Sequence, residues 1–421
     1  MKKKVIIIGA GFAGIRLARH LDSDLFDILL IDKINHHQFQ PLFYQVATSQ
    51  IEPSNISFPI RYVFNKNKNI EIRLAEVLGI DHTQKLISTN IGDFKYDILA
   101  IAIGCKTNFF GNNEIEENAF TLKSTYDAIE IRNHILKTFE DIISSAESEK
   151  EYLQNLVIVG AGPTGVELSG AFSEIRTYNL PKDYPNIDFS KFKIILIEGS
   201  KNTLNNMSEN SKRISEKYLR EMGIILHKET FVNNYDGFNL TLSTGEIIKT
   251  KTVIWAAGVT GNTLLGLPKE VYSLANRIKV DRNNKIIGLD SIYAIGDIAN
   301  METPLYPKGH PQVANVAINQ AINLAKNLKS NLNNKPQKEF EYKDFGSMAT
   351  VGRNKAVVDF GNIRIHGYFA WLIWMSLHLM LILSVKNKLI IFINWLWAYI
   401  TKNSSLRLIL TPDYHSRKQR K

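Results

Sequence analysis

The chain carries the same segment twice, an apolar run followed at once by a glycine-rich turn. Residues 5–14 read VIIIGAGFAG and residues 156–165 read LVIVGAGPTG. Each copy leads through a helical pattern to a second apolar run that ends in an acid, Asp32 in the first copy and Glu198 in the second. Short, continuously apolar strands that alternate with helices are typical of parallel sheets covered on both faces. We therefore predict an α/β protein with two Rossmann-like domains.

The first turn has the spacing of a dinucleotide-binding site. Gly9, Gly11 and Gly14 form G-x-G-x-x-G directly after a strand, and Asp32 lies 23 residues beyond Gly9. The first glycine permits the tight turn, the second lets the backbone approach a pyrophosphate, and the third lets helix and strand pack closely. The helix N-terminus stabilises phosphate charge, and Asp32 can accept hydrogen bonds from an adenosine ribose. The alternative is a tight strand-to-helix turn that binds no ligand.

The second turn repeats this logic with Gly160, Gly162 and Gly165. Glu198 lies 38 residues beyond Gly160, because residues 179–193 have the composition of an insertion. A carboxylate at this place would repel a 2′-phosphate, which favours NADH over NADPH. Two dinucleotide sites in one chain indicate two different nucleotides, and we predict FAD as a prosthetic group and NADH as the exchanging one.

The order of the strand-like segments predicts how the chain is divided. Residues 96–104 and 252–258 form a second matching pair of strand-to-glycine segments, and residues 291–297 form a further strand that ends in Gly-Asp. The simplest layout interrupts the first nucleotide domain with the second. The predicted domains are 1–118 with 273–345 for FAD, 119–272 for NADH, and a separate C-terminal region, 346–421.

Four polar residues outside the glycine turns are candidates for function. Asp297 ends a strand, where it could hydrogen-bond the ribityl chain of a flavin or serve as a turn or cap residue. Glu167 follows the second glycine turn on its helix and could relay a proton to a reduced acceptor or be a structural glutamate. Gln312, where we predict a helix to begin, could contact an acceptor or cap that helix. For His378 we prefer a lipid or dimer contact to catalysis.

The C-terminal region differs from the rest of the chain in charge and aromatic content. Residues 364–421 carry nine Lys and Arg against one acid, whereas the rest carries 42 bases and 40 acids, and four of the five tryptophans lie in this tail. Residues 367–385 are uncharged, which meets the ~18-residue minimum for a membrane span. The next apolar run, 389–401, is too short to return. We therefore favour amphipathic helices lying in a membrane interface over a single span or a buried or dimer-interface helix pair.

The same composition argues against other classes of protein. A nearly neutral main body gives little support to nucleic-acid binding. A single cysteine, Cys105, excludes an internal disulfide, a dithiol redox pair and a cysteine-built zinc site within one chain. No metal site is predicted.

Several segments together make the chain similar to the type II NADH:quinone oxidoreductases, which are single-chain respiratory NADH dehydrogenases that do not pump protons. The resemblance covers nearly the whole chain. The segments that carry it are HQFQPLFYQVAT at 37–48, DAIEIR at 127–132, GAGPTGVE at 160–167, VIWAAGV at 253–259, AIGD at 294–297 and MATVGR at 348–353, ahead of the tail with Trp, His and basic residues.

The resemblance implies non-covalent FAD, NADH as donor, a membrane quinone as two-electron acceptor, and a role for individual residues. Flavin contacts are implied at Gly9, Gly11, Gly14, Asp32, Val77, Gly104 and Asp297. Contacts to NADH are implied at Gly160, Gly162, Gly165, Glu198 and Gly258, and the proton-relay acid is Glu167. Quinone contacts are implied at Gln312 and Ala314, although Pro311 replaces the alanine that often begins this family segment.

We therefore expect an NADH:quinone oxidoreductase on the cytoplasmic face of the cell membrane. It would be monotopic, attached to anionic lipid through residues 364–421, and a homodimer. Two alternatives stay open, an NADH-dependent flavin reductase of a soluble acceptor and a non-enzymatic redox-sensing flavoprotein. Sulfide:quinone oxidoreductases and disulfide reductases need cysteine pairs, which this chain lacks.

Overall fold

The computed structural model describes residues 2–273, 275–403 and 406–410. The chain divides into two units that are each assembled from three stretches of sequence. Unit 1 comprises Met1–Gln38, Phe58–Lys106 and Val259–Asp344, and unit 2 comprises Phe39–Ser57, Thr107–Gly258 and Phe345–Lys421. The limits that we predict for the three domains stay a prediction.

Unit 1 is built around a parallel sheet. Its five strands, in spatial order, are Ile292–Ala294, Ile98–Ile101, Lys3–Ile8, Phe26–Asp32 and Ile70–Leu74. From Val5 to Ile8 every side chain is buried, as expected for a central strand covered on both faces. The helices Phe12–His20 and Ala314–Leu332 pack against each other.

Smaller elements complete unit 1. An antiparallel sheet contains Val77–Asp81, Leu86–Thr89 and Gly92–Lys95, and a parallel pair contains Ile278–Val280 and Ala299–Met301. Short helices lie at Ile60–Val63, Lys269–Val271 and Gly296–Ile298. Short strands lie at His36–Gln38, Ser57–Pro59, Cys105–Thr107 and Val259–Gly261. A boundary between the two units falls within two of these strands, between Ser57 and Phe58 and between Lys106 and Thr107.

Unit 2 repeats the parallel architecture. Its four-stranded sheet runs Ile224–His227, Lys193–Ile197, Asn155–Val159, Thr252–Trp255. An antiparallel sheet contains Val232–Tyr235, Asn239–Leu242 and Ile247–Lys249. The helices outside the tail are Gln40–Leu42, Phe43–Ala47, Pro53–Asn55, Asn113–Asn118, Thr125–Ser144, Glu147–Leu153, Pro163–Tyr178, Leu180–Asp183 and Glu209–Glu221. Two parallel sheets, one in each unit, confirm the predicted α/β class and its internal repeat.

The C-terminal region belongs to unit 2. It begins with the antiparallel strands Ser347–Gly352, Lys355–Phe360 and Ile363–His366. Two helices follow, the first tail helix, Tyr368–Leu381, and the second tail helix, Val385–Thr401. The uncharged stretch 367–385 is therefore not one helix. Within the described part of the chain, no helix combines the length and the apolar character that crossing a membrane requires.

Candidate functional site

The first glycine turn leaves open space at one glycine and none at the other two. Gly9 has φ +101°, and a Cβ there would lie 2.4 Å from the Ala102 carbonyl oxygen. A Cβ on Gly14 would lie 1.8 Å from the Gly9 carbonyl oxygen. By contrast, a Cβ on Gly11 would meet nothing within 4 Å. The turn is thus closed towards the protein and open in front of Gly11, at the N-terminus of the helix Phe12–His20.

Asp32 is fixed beside this turn by backbone donors. Its Oδ2 accepts a hydrogen bond from the Ala10 N–H at 2.6 Å, and its Oδ1 accepts one from the Ile34 N–H at 2.9 Å. Burial raises the pKa of Asp32 above its ordinary value, although both hydrogen bonds favour the ionised form. The carboxylate is therefore held at the carboxyl end of its strand, the usual place for a ribose contact.

The second glycine turn has the same geometry in unit 2. A Cβ on Gly160 would lie 2.5 Å from the Ala256 carbonyl oxygen, and one on Gly165 would lie 1.8 Å from the Gly160 carbonyl oxygen. Gly162 again faces open space. Glu198 accepts hydrogen bonds from the Ala161 N–H at 2.7 Å and the Ser200 N–H at 2.8 Å.

Both turns fit the pyrophosphate of a dinucleotide. Each presents a helix N-terminus, an open cradle that a single methyl group would fill, and a fixed carboxylate from the next strand. A positively polarised helix end and a close approach of backbone are what a pyrophosphate needs. Among the described residues no cluster of His, Cys, Asp and Glu has the makings of a metal site.

The other residues implied for the flavin lie in unit 1. Asp297 does not end a strand as expected: the strand Ile292–Ala294 stops three residues earlier, and Asp297 lies in the short helix Gly296–Ile298. Gly104 has φ +63° and faces open space. Val77 is partly buried and packs against the core of the unit.

Gln312 does not cap the helix that follows it. That helix begins at Ala314, two residues later than predicted, and its N-cap is Val313. The Gln312 Nε2 lies 2.8 Å from the Cys105 Sγ and 3.3 Å from the Asp297 carbonyl oxygen. Of the two roles left open for Gln312, helix capping is therefore wrong.

Gly258 and Glu167 both lie in unit 2, with the second glycine turn. Gly258 has φ +146°, and its carbonyl accepts a hydrogen bond from the Asn108 N–H at 3.1 Å. Glu167 lies on the helix Pro163–Tyr178, which starts at the turn with Pro163 at its first position. This helix carries the Glu167 side chain away from the turn and into a cavity.

The cavity beside Glu167 has a volume of about 70 Å³ and an aromatic wall. Among the residues that line it, only Glu167 is a candidate for function from the sequence. The other lining residues are Tyr44, Gln45, Gln50, Ala171, Glu174, Thr350, Gly352, Arg353, Trp371, Trp374, Met375, Trp395, Ala398 and Tyr399. Most of them lie in the family-like segments 37–48 and 348–353 and in the aromatic tail. These segments are therefore the part of the sequence from which the cavity could have been predicted.

Burial makes Glu167 a proton donor at neutral pH. It raises the pKa of Glu167 to about 8, and the opposing effects of the Thr350 backbone and the Trp374 indole are smaller. A carboxyl group whose pKa lies near the working pH is suited to general acid catalysis. Glu174, on the same helix, also has a raised pKa because of burial, and it accepts a hydrogen bond from the Arg353 N–H.

The aromatic wall is ordered by stacking and hydrogen bonds. His378 stacks on Trp374 with ring centroids 4.0 Å apart and contacts Phe39 edge-on. Burial lowers the pKa of His378 to about 4, so its imidazole is neutral at neutral pH. The preferred lipid or dimer contact of His378 stays a prediction. Tyr44 contacts Trp374 edge-on, at 6.3 Å between centroids.

Two family models match the chain. The model described as "Pyridine nucleotide-disulphide oxidoreductase" matches residues 3–321, and the model described as "NDH2 C-terminal domain" matches residues 345–403. The first spans both glycine turns, and the second spans the C-terminal strands and both tail helices.

Curated relatives match over almost the whole chain. The type II NADH:quinone oxidoreductase Ndh of Mycobacterium tuberculosis is 33% identical over 416 residues, which is 95% of this chain and 89% of the relative. The type II NADH:quinone oxidoreductase of Staphylococcus haemolyticus is 30% identical over 368 residues, covering 85% of this chain and 89% of the relative.

Solved structures share the fold at lower identity. NDH2 from Plasmodium falciparum in complex with NADH superposes with a TM-score of 0.88 at 22% identity, covering 98% of this chain and 100% of that one. A sulfide:quinone oxidoreductase from Aquifex aeolicus superposes with a TM-score of 0.72 at 19% identity, covering 99% of this chain and 94% of that one.

Proposed function

The chain belongs to the type II NADH:quinone oxidoreductases, and we propose that the cavity beside Glu167 binds the quinone that it reduces. The enzyme oxidises NADH with FAD and reduces quinone to quinol without pumping protons, as predicted. This activity is favoured over reduction of a soluble acceptor and over a sensing role. The observation that carries the proposed site is the carboxyl group of Glu167 lining an aromatic cavity.

We propose that FAD binds at the first glycine turn and NADH at the second. The open cradles at Gly11 and Gly162 support these two sites, with Asp32 and Glu198 as the ribose contacts. The first glycine turn and Asp32 would hold FAD, which would supply the two-electron redox chemistry between NADH and the quinone. Glu198 disfavours a 2′-phosphate by charge repulsion, so NADH is the preferred donor.

Glu167 would supply the proton that this reaction consumes. Overall, NADH, one proton and the quinone give NAD⁺ and the quinol. In this balance NADH contributes two electrons and the equivalent of one proton, and the second proton comes from solution. The protonated Glu167 carboxyl holds that second proton inside the cavity and regains it from solution after each turnover. For Gln312 and Ala314 a quinone contact stays a prediction.

Enzymes of this family are peripheral membrane proteins, and we propose that the two tail helices attach this chain to the bilayer. Large apolar side chains on both helices are exposed, among them Phe369 at 70%, Met380 at 72% and Ile400 at 70%. Lys386, in the first turn of the second tail helix, and Lys402, directly after its end, are exposed and would attract anionic lipid. The cytoplasmic face of the cell membrane and a homodimer, whose interface could use part of this apolar surface, belong to the same proposal.

Stopped-flow absorbance at the flavin band tests the activity. Anaerobic protein loaded with FAD is mixed with NADH and, in a second push, with a short-chain quinone, and NADPH serves as the control donor. We expect rapid bleaching by NADH, much slower bleaching by NADPH and rapid recovery with quinone. Recovery that requires air or an artificial dye would contradict the quinone as acceptor.

A further inference from the structure

The cavity contains a second hydrogen-bond donor, the phenol of Tyr44. This residue lies on the helix Phe43–Ala47, is only 5% exposed, and lines the same cavity as Glu167. Burial raises the pKa of Tyr44 well above its ordinary value. The phenol therefore keeps its proton at any pH at which the enzyme would work.

Two linked hydrogen bonds make the phenol of Tyr44 an acceptor towards Gln45. The Trp395 Nε1 donates to the Gln45 Oε1 at 2.8 Å, and the Gln45 Nε2 donates to the Tyr44 Oη at 2.9 Å. An indole nitrogen is a donor only, so the oxygen of the Gln45 amide must face Trp395 and its NH₂ group must face Tyr44. Tyr44 is consequently the acceptor in this bond, and its own proton is left for another acceptor.

No residue in the described part of the chain takes that proton in a hydrogen bond. A buried hydroxyl without an acceptor carries a desolvation penalty, so such groups nearly always have a partner in the functional state. Tyr44 lines the cavity, so a ligand bound there could accept its proton in a hydrogen bond. The quinone proposed for this cavity carries carbonyl oxygens. A carbonyl oxygen is the complementary group for an O–H donor.

We propose that the Tyr44 O–H donates a hydrogen bond to a carbonyl oxygen of the quinone, and that Gln45 and Trp395 position it. This inference rests on the proposed function, in which the quinone occupies this cavity. No bond of Tyr44 breaks, because Glu167 delivers the proton and Tyr44 stabilises the negative charge that the carbonyl oxygen gains during reduction. Such a hydrogen bond strengthens in the transition state and therefore acts more on the rate than on binding.

The variant Tyr44→Phe removes the donor and keeps the ring. In the sequential mixing experiment, we expect flavin bleaching by NADH to stay within twofold of wild type. Recovery with a short-chain quinone should slow by about 10- to 100-fold, as expected for the loss of one oriented donor. The Kd of the oxidised enzyme for the same quinone, from tryptophan fluorescence quenching without NADH, should rise by less than about tenfold, the size of one hydrogen bond. Tyr62→Phe, at an exposed tyrosine, is the matched control.

The variant Gln45→Glu tests the direction of the hydrogen bonds while leaving the phenol in place. A carboxylate only accepts hydrogen bonds, so Glu at this position would take one from Trp395 and one from Tyr44. The Tyr44 proton would then be occupied, and recovery with quinone should slow as in Tyr44→Phe. Recovery should improve at acid pH, where the introduced carboxyl is protonated and can donate again. The double variant should be no slower than Tyr44→Phe alone, because both changes act through one proton.

The outcomes separate the two levels of the proposal. If quinone fails to restore the flavin band of the wild-type enzyme, the proposed function is wrong. If quinone restores the flavin band of the wild type, and both variants recover as fast as the wild type, the proposed function stands and the role of Tyr44 is overturned. Equal slowing of the NADH and quinone steps in both variants would also overturn it, since a merely structural role has that signature. If Tyr44→Phe does not fold, Gln45→Glu and its pH profile decide.

Discussion

At the scale of single residues, the pKa of Glu167 sets how the quinone step depends on pH. With a pKa of about 8, the carboxyl is protonated in neutral solution and ionised in alkaline solution. The rate constant for recovery with quinone should therefore be level at neutral pH and fall above about pH 8. Glu167→Gln keeps a hydrogen-bond donor but has no proton to give, so we expect a rate lower by about 10²- to 10⁴-fold without that break. A wild-type profile with no change near this pKa would contradict the assignment.

The stability of the same variant supplies a check that does not depend on turnover. The carboxyl binds its proton more tightly in the folded chain than at its ordinary pKa of 4.5. Wild-type stability should therefore decrease as the pH rises from about 4.5 to 8, because the folded state resists ionisation there. Glu167→Gln lacks this decrease, so its Tm should gain on wild type across the same window. Glu149→Gln, at an exposed glutamate, should run parallel to wild type.

The residues of the candidate site differ in how far sequence could predict them. The glycine turns and their acids are local patterns, so spacing alone identified Asp32 and Glu198. Tyr44, Gln45 and Trp395 meet across 350 positions of sequence, and no periodicity records that contact. Glu167 could be named as a candidate from its place after the turn. Its protonation could not, because it depends on burial by the C-terminal region.

At the scale of elements, two glycines of the helix Pro163–Tyr178 and its N-cap differ in the space that a side chain would have. Gly170 packs so closely on the strand Ser347–Gly352 that a Cβ would lie 1.5 Å from the Val351 carbonyl oxygen. Gly162, at the N-cap of the helix, faces open space and has an ordinary φ of −70°. Gly170→Ala should therefore cost about 1–3 kcal/mol of unfolding free energy or more. Gly162→Ala should change stability little but weaken NADH binding, because the methyl group occupies the cradle.

Thermal unfolding and an NADH titration of both variants check this pair of expectations. The expected pattern is a lowered Tm in Gly170→Ala and a raised Kd for NADH in Gly162→Ala. A Gly162→Ala variant with wild-type NADH affinity would argue against a pyrophosphate at the second turn. The two substitutions are chemically identical, which makes each the control for the other.

The tail helices show a boundary that hydropathy does not place. Residues 367–385 contain no charge, but the first tail helix ends at Leu381 because Ile382 adopts an extended conformation. Ser384 then caps the second tail helix by accepting a hydrogen bond from the Asn387 N–H at 3.5 Å. A serine within an apolar run lowers the mean hydropathy only slightly. As a helix N-cap, however, serine strongly favours the start of a new helix.

At the scale of the whole molecule, the exposed apolar side chains of the tail need an explanation. Exposed apolar side chains cluster on both tail helices, whereas single exposed apolar residues elsewhere need no partner. Ile400 in the second tail helix and Leu305 in unit 1 are both 70% exposed. Ile400→Asp should therefore reduce binding to vesicles of phosphatidylcholine and phosphatidylglycerol, and Leu305→Asp should not.

Cosedimentation with these vesicles at increasing salt separates the two contributions to attachment. Lysines near an anionic surface contribute about 1 kcal/mol each, and salt screens this attraction. The apolar contribution does not weaken in this way, so wild-type binding should fall with salt but persist, whereas Ile400→Asp should lose most binding even at low salt. If Ile400→Asp binds vesicles like wild type but converts a dimer to a monomer in solution, this surface joins two copies of the chain. The lipid would then have to contact another part of the molecule.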